Sequence, residues 1–469
     1  MTSEIGTSGD QRDTMPMASV SHPTIGEVSF PEVHGNGTKK HKNTSCNTSS
    51  SFIYFTPTNI PPSHLFAKEQ PDLNWENEAC RRAIYASSMT FWLERGVDGF
   101  RVDTVNMYSK MPGLPDAPIA EPHLFEQPAH TMFCNGPRMH EYLREMNTQI
   151  LNNYDAMTVG ELPHTPDTAH VLRYVSATDK QLSMVFQFDI VDLGQGHTNK
   201  YEAQPWRLAE MKSICQKWQS YIHGTQAWTT SFIENHDQGR SISRFANDSP
   251  TYRVKSAKML AMLFAGMTGT LFIYQGQEIG MINAPKDWPI EEYKDIESLG
   301  YYELVKANGG TKEDLERVMK GIQILGRDHA RLPMQWDASP NAGFTGEGVK
   351  PWMRVHDAYP DINVAAQVKD EESIFSFWRK MLKIRREWED VFVYGEYKGL
   401  DLESDKTFAY VKVGDDGKKA FVITNFTTEE QEFSMPEGFD EAKLLVGTQG
   451  EDGKAGTLRA YEGRVYMLN

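Results

Sequence analysis

Residues 96–110 read GVDGFRVDTVNMYSK, a glycine-bounded loop running into an apolar strand. Phe100, Val102 and Val105 supply the apolar run, yet Arg101 and Asp103 set two full charges two positions apart within it. Side chains alternate faces along a strand, so these two point the same way. A charge on an inner strand face is costly unless it is paired or used. The pair therefore predicts a working site, with the arginine keeping the aspartate ionised and in place.

Outward from this strand the chain alternates. Upstream, NWENEACRRAIYASSMTFWLERG (74–96) has helical spacing, a cap at Asn74 or Asn77 and Gly96 at its end. Downstream come a proline-rich loop, a helix over 136–152, and the strand AMTVGEL (156–162). Then follow the strand LSMVFQFDIV (182–191), a helix near 206–223, the strand WTTSFIENHD (228–237), a helix near 250–266 and the strand GTLFIYQGQEIG (269–280). Strand and helix in turn predict a parallel α/β architecture. A charged helical stretch follows Lys286, and a last helix spans roughly 371–388. Beyond 389 the pattern changes to short alternating strands (TFAYVKV, KKAFVITNF, EEQEFSM, GRVYML) broken by tight turns, which predicts a separate antiparallel β domain over 389–469. Residues 1–63 are rich in Ser, Thr, Gly, Asn and Pro and read as a mostly disordered leader. Its runs EVSF and SFIYF could pair as strands where an edge is offered.

Composition narrows the partners. A formal net charge of −16 argues against nucleic acid and anionic membrane, which need a basic face, and suits a small neutral ligand. No run approaches the ~18 apolar residues of a membrane span. The N-terminal residues lack the basic start and apolar stretch of a signal peptide. Cys46, Cys80, Cys134 and Cys215 are scattered, with no metal-ligand spacing, as expected of reduced thiols. Cytoplasmic residence is the resulting expectation.

Three predicted strands end in acids: Asp103, Glu161 and Asp237. In parallel α/β folds the site lies at the carboxyl ends of the strands, so the three would face one mouth. Such a trio suits glycoside hydrolysis, with an ionised nucleophile (Asp103) and a protonated acid (Glu161) whose pKa a neighbouring carboxylate raises. Asp237, beside His236, could bind sugar hydroxyls and stabilise a cationic transition state. Spacing alone leaves helix caps and surface pairs standing beside this reading, and a lone His236 would as readily be structural.

Six segments carry a resemblance: QPDLNWEN (70–77), GVDGFRVD (96–103), MTVGEL (157–162), FIENHDQ (232–238), YQGQEIGMIN (274–283) and RDHARLPMQW (327–336). In content and order they resemble the α-amylase superfamily, glycoside hydrolase family 13, and within it the maltase/isomaltase α-glucosidases. The resemblance implies a (β/α)₈ barrel over 64–388 followed by a β-sandwich. It also implies retaining hydrolysis, with Asp103 as nucleophile, Glu161 as acid/base and Asp237 as transition-state stabiliser. Arg101, His236 and Arg327 correspond to contacts to the sugar ring. Thr104 corresponds to a position where threonine accompanies preference for α-1,4 linkages in maltose and often sucrose.

The family's first three barrel strands, the domain inserted after the third, and its Asp with Asn-His motif find no counterpart between residues 64 and 96. Its calcium-binding loop is likewise unmatched, so no metal and no cofactor are expected, and the partner is a neutral sugar bound by a monomer. An incomplete barrel leaves strand edges bare. The chain as written is thus expected to hydrolyse no maltose above background and to aggregate. Oligo-1,6-glucosidases and sucrose isomerases use the same residues and stay as alternatives.

Overall fold

The computed structural model describes residues 65–67, 69–119, 128–196, 199–450 and 454–468. The predicted leader, its two candidate strands and Cys46 lie outside them. Five short strands form the barrel wall among the described residues. Strands β1 (Gly99–Val102), β2 (Met157–Leu162) and β3 (Met184–Gln187) pair in that order, and β4 (Thr230–Ser231) pairs with β5 (Thr270–Leu271), all parallel. Between β3 and β4 side chains bridge the seam, because the Thr230 hydroxyl donates to Val185 O at 2.9 Å and to Gln187 Oε1 at 3.2 Å.

Parallel neighbours need long crossovers, which helices provide. Helix α1 (Glu78–Ile84) precedes β1; α2 (Met139–Gln149), α3 (Thr168–Val175), α4 (Leu208–Ser220) and α5 (Arg253–Ala265) separate the following strands. Asn77 caps α1, its side chain accepting from Ala79 N at 2.9 Å. Buried Arg81 then ties α1 to Glu145 of α2 at 3.0 Å. This is a (β/α)₈-type wall, with five of its staves among the described residues. After β5, helices α6 (Ile296–Ala307) and α7 (Lys312–Leu325) build the rim, and α8 (Ile374–Glu387) closes this part. No helix among the described residues is long and apolar enough to cross a membrane.

The C-terminal sheet has five antiparallel strands in the order β10-β12-β8-β7-β6, with a β9–β11 ribbon beside it. They are β6 (Glu396–Leu400), β7 (Thr407–Val413), β8 (Lys419–Asn425), β9 (Gln431–Glu432), β10 (Lys443–Gly447), β11 (Thr457–Leu458) and β12 (Gly463–Leu468). Alternation sends Ala409, Val411, Phe421 and Ile423 to one face, where Leu458 of β11 covers them. Phe408, Tyr410, Ala420 and Val422 occupy the other face and share one core with Met259, Leu263 and Phe264 of α5 and with Phe377 and Met381 of α8. The Tyr410 hydroxyl donates to Leu263 O at 2.7 Å. Helix α5, apolar nearly all round, is buried between the barrel and the sheet.

This shared core has a measurable consequence. Phe408 is fully buried in it, so Phe408→Ala should cost about 3–5 kcal/mol. Urea unfolding followed by circular dichroism and by tryptophan fluorescence should shift together. A shift in one signal alone would show that the sheet unfolds apart from the barrel.

Candidate active site

Register brings the first two acids together. Val102 lies opposite Gly160 on the paired strands β1 and β2, so Asp103 and Glu161 follow side by side at the carboxyl end. Gly160 leaves room there, since a Cβ would stand 2.6 Å from Leu182 Cδ1 and 2.9 Å from Val105 Cγ1 and force those side chains to shift. The chain then turns sharply at Thr104, whose φ of 33° is left-handed and strained for a β-branched residue. That turn aims the Thr104 N–H at Glu161 Oε2, 3.1 Å away, and sets the Thr104 hydroxyl 3.4 Å from Asp103 Oδ2.

Arg101 answers to both carboxyl groups. Its Nη1 pairs with Asp103 Oδ1, and its Nη2 lies 2.7 Å from Glu161 Oε1. The two acids differ in exposure: the Asp103 side chain is 70% exposed and that of Glu161 only 7%. Burial, more than the neighbouring negative charge, raises the pKa of Glu161. Arg101 and the Thr104 N–H oppose this rise, while the Asp103 and Asp237 charges add to it. Removal from water is thus a larger cause than the neighbouring carboxylate to which the sequence points.

Asp237 sits on the loop after β4, which a buried ion pair clamps. Arg240 Nη1 lies 3.2 Å from Glu234 Oε2 and donates to Gln275 O at 2.8 Å, and Ser241 N donates to Glu234 Oε1 at 2.9 Å. Around Asp237 gather His236 Nε2 at 3.1 Å, Arg327 Nη1 at 3.3 Å and Arg331 Nη2 at 2.5 Å. Burial alone would raise its pKa. The His236 hydrogen bond and charge, with Arg327 and Arg331, outweigh that and hold it well below the usual carboxylate range. Asp237 also acts electrostatically on Arg101 and Glu161. Thus Arg101, Asp103, Thr104, Glu161, His236, Asp237 and Arg327 all meet at one mouth.

Four further residues belong to this group and were not singled out from the sequence. Tyr108 donates to Asp103 O at 2.9 Å, and its ring stacks on Trp75 with centroids 4.2 Å apart. Trp75 stands inside QPDLNWEN, which offered a signal. Arg331 follows Arg327 by one helical turn within RDHARLPMQW. Asp295, the N-cap of α6 and main partner of Arg327, had no motif around it. Among the described residues no group of three or more His, Cys, Asp or Glu could hold a metal ion.

With this geometry in place, the comparisons are direct. Residues 62–395 match the alpha amylase catalytic domain. The chain belongs to the α-amylase family. It is 45% identical over 445 residues to an α-glucosidase of Candida albicans, covering 94% of this chain and 77% of that one. An oligo-1,6-glucosidase of Saccharomyces cerevisiae is 41% identical over 414 residues, covering 86% and 70%. Among solved structures, a Bacillus licheniformis trehalose-6-phosphate hydrolase superposes with a TM-score of 0.80 at 35% identity, covering 91% and 75%. A trehalulose synthase variant in complex with sucrose gives 0.82 at 32%, also covering 91% and 75%. The chain is a glycoside-hydrolase-family member with the family's barrel and C-terminal antiparallel sheet.

The opposite pKa directions of Glu161 and Asp237 can be measured. Glu161 titrates above the ordinary 4.5 in the folded chain, so beyond that pH the folded form keeps a proton that the unfolded form has lost. Stability then falls as pH rises. Glu161→Gln should therefore be more stable than the parent at neutral pH, with the advantage gone below about pH 4. Asp237 is depressed below the ordinary 3.8, so its stabilisation is full above that value and is lost as pH falls. Asp237→Asn should be less stable at neutral pH, with a deficit that shrinks in acid. Urea midpoints across this range that move in parallel for both variants would contradict the assignment.

Proposed function

We propose that this chain is a retaining α-glucosidase that releases terminal α-1,4-linked glucose from maltose, sucrose and short oligosaccharides. The observation that carries the reading is the pair on Arg101, an open carboxylate beside a buried carboxyl group whose pKa burial raises, on adjacent strands. Retaining glycosidases hold such groups roughly 5–5.5 Å apart, and one guanidinium touching both is compatible with that spacing.

In the proposed reaction, Asp103 attacks the anomeric carbon while Glu161 gives its proton to the departing oxygen. The C–O bond to the leaving sugar breaks as a glycosyl–Asp103 bond forms. Glu161, now ionised, takes a proton from water, which displaces Asp103 and restores both groups with configuration retained. Asp237, kept anionic by His236 and the two arginines, stabilises the oxocarbenium-like transition state. His236 and Arg327, both partly exposed, are placed to bind ring hydroxyls. The names of the relatives support an α-glucosidase. Cytoplasmic residence and a monomeric state belong to the same proposal, the first supported by the free thiols of Cys80 and Cys215.

A second reading, a chain that no longer turns over sugar, is favoured by the five barrel strands among the described residues. Assay of the 469-residue chain with maltose separates the two. On the first reading, Asp103→Asn keeps shape but removes the nucleophile, so kcat/KM should fall by several powers of ten. Polarimetry of maltose hydrolysis should show the α-anomer first; β-glucose released first would contradict the pairing of Asp103 with Glu161.

Thr104 touches the nucleophile, so Thr104→Val should shift the maltose-to-isomaltose rate ratio toward isomaltose. A single hydroxyl-for-methyl exchange is worth at most ~1–3 kcal/mol. An unchanged ratio would place linkage choice elsewhere.

A further inference from the structure

Asp295 is far in sequence from the strand-end acids, yet it is the most heavily paired carboxylate at the mouth. Both its oxygens accept from Arg327 Nε at 3.1 Å, and Oδ1 also lies 2.6 Å from Arg327 Nη2 and 3.5 Å from Arg331 Nη1. Its side chain is only 2% exposed, so it does not reach a sugar in the cleft. The same two guanidinium groups also meet Asp237, through Arg327 Nη1 and Arg331 Nη2. Two arginines are therefore shared between two aspartates, one buried and one facing the cleft.

The buried partner is itself fixed. Ser298 N donates to Asp295 Oδ2 at 3.3 Å, and the Asp295 N–H donates to Asp328 Oδ1 at 2.9 Å. Outside it, Glu297 takes Arg327 Nε at 3.3 Å and Lys200 at 2.7 Å. The result is an ion chain of alternating sign, Lys200–Glu297–Arg327–Asp295–Arg331–Asp237, with Asp295 as its buried centre.

We propose that Asp295 is a positioning residue that divides Arg327 and Arg331 between itself and Asp237. A guanidinium presents its N–H donors in a rigid fork. Asp295 holds the Nε/Nη2 edge of Arg327, which leaves Nη1 toward Asp237 and the cleft. Without the Asp295 charge, both arginines can turn their full forks onto Asp237, filling the lone pairs that would bind sugar hydroxyls. The division keeps Asp237 anionic yet available. This inference rests on the glycosidase reading above.

The test compares the full chain with its Asp295→Asn and Asp295→Glu variants on p-nitrophenyl α-glucoside, with active sites counted by titration. Asparagine keeps the volume and a capping oxygen but loses the charge. Since a misplacement of ~1 Å can cost about 10²-fold, kcat/KM should fall by about that factor, chiefly in kcat, with partial recovery in Asp295→Glu. Adding Arg331→Met to Asp295→Asn should restore part of the lost kcat, because one of the displaced guanidiniums is then gone.

A merely structural Asp295 would lower the urea midpoint and leave kcat and KM per active site unchanged; that result, or strictly additive losses in the double variant, overturns the proposal. Should Asp295→Asn fail to fold, Asp295→Ser, which retains a capping oxygen, carries the same comparison. A parent chain with no activity on any α-glucoside overturns the glycosidase reading and this inference with it. An active parent with an unaltered Asp295→Asn variant overturns only the inference.

Discussion

One guanidinium, that of Arg101, lies between two carboxyl groups that must behave differently, and the mouth of the barrel is organised around it. Both Asp103 and Glu161 take a nitrogen of the same fork. What distinguishes them is depth. Asp103 leaves the end of β1 into solvent, whereas Glu161 is enclosed by the turn at Thr104 and receives its N–H. Removal from water raises the pKa of Glu161 against the pull of Arg101, while Asp103 stays open to solvent beside the same guanidinium. Each depends on the β1–β2 register, since a slip of one residue would turn both acids away from each other.

The second charge cluster complements the first. Asp237 is reached by three cationic or potentially cationic side chains, and its loop is clamped by the buried Glu234–Arg240 pair. Breaking a buried pair on one side leaves an uncompensated charge, so such clamps hold loops firmly. The supporting framework is helix α5, against whose two sides the α8 face and the C-terminal sheet are packed. The sheet thus shares its core with the helix that follows the Asp237 loop.

Much of this was legible in the chain because it is local. Arg101 and Asp103 share a face by strand alternation, and the three acids close strand-like runs. The strand–helix alternation follows from apolar periodicity, and of the two caps the sequence offers, Asn74 and Asn77, the second is used. What could not be read depends on distant partners. Asp295 looks like any acid in a charged stretch until Arg327 and Arg331 fold over it. The strand predicted over 228–237 keeps its pairing only at Thr230–Ser231; beyond it Phe232 and Ile233 enter the core and Glu234 joins the ion clamp. Strands β6 and β10 escaped notice since EYKGL and KLLVG are short and weakly alternating. Alternation in β7 and β8 reveals that both faces of the sheet are apolar but not that one face meets α5.

The central claim, that Asp103 beside Glu161 forms a covalent glycosyl intermediate, is most directly tested by trapping it. The chain would be incubated with 5-fluoro-α-glucosyl fluoride, digested, and its peptides examined by mass spectrometry. The account predicts one sugar adduct, in the peptide containing Asp103 and on that side chain, and none in Asp103→Asn. An adduct on Glu161 or Asp237, or turnover of α-glucosides with no trappable adduct at all, would contradict it.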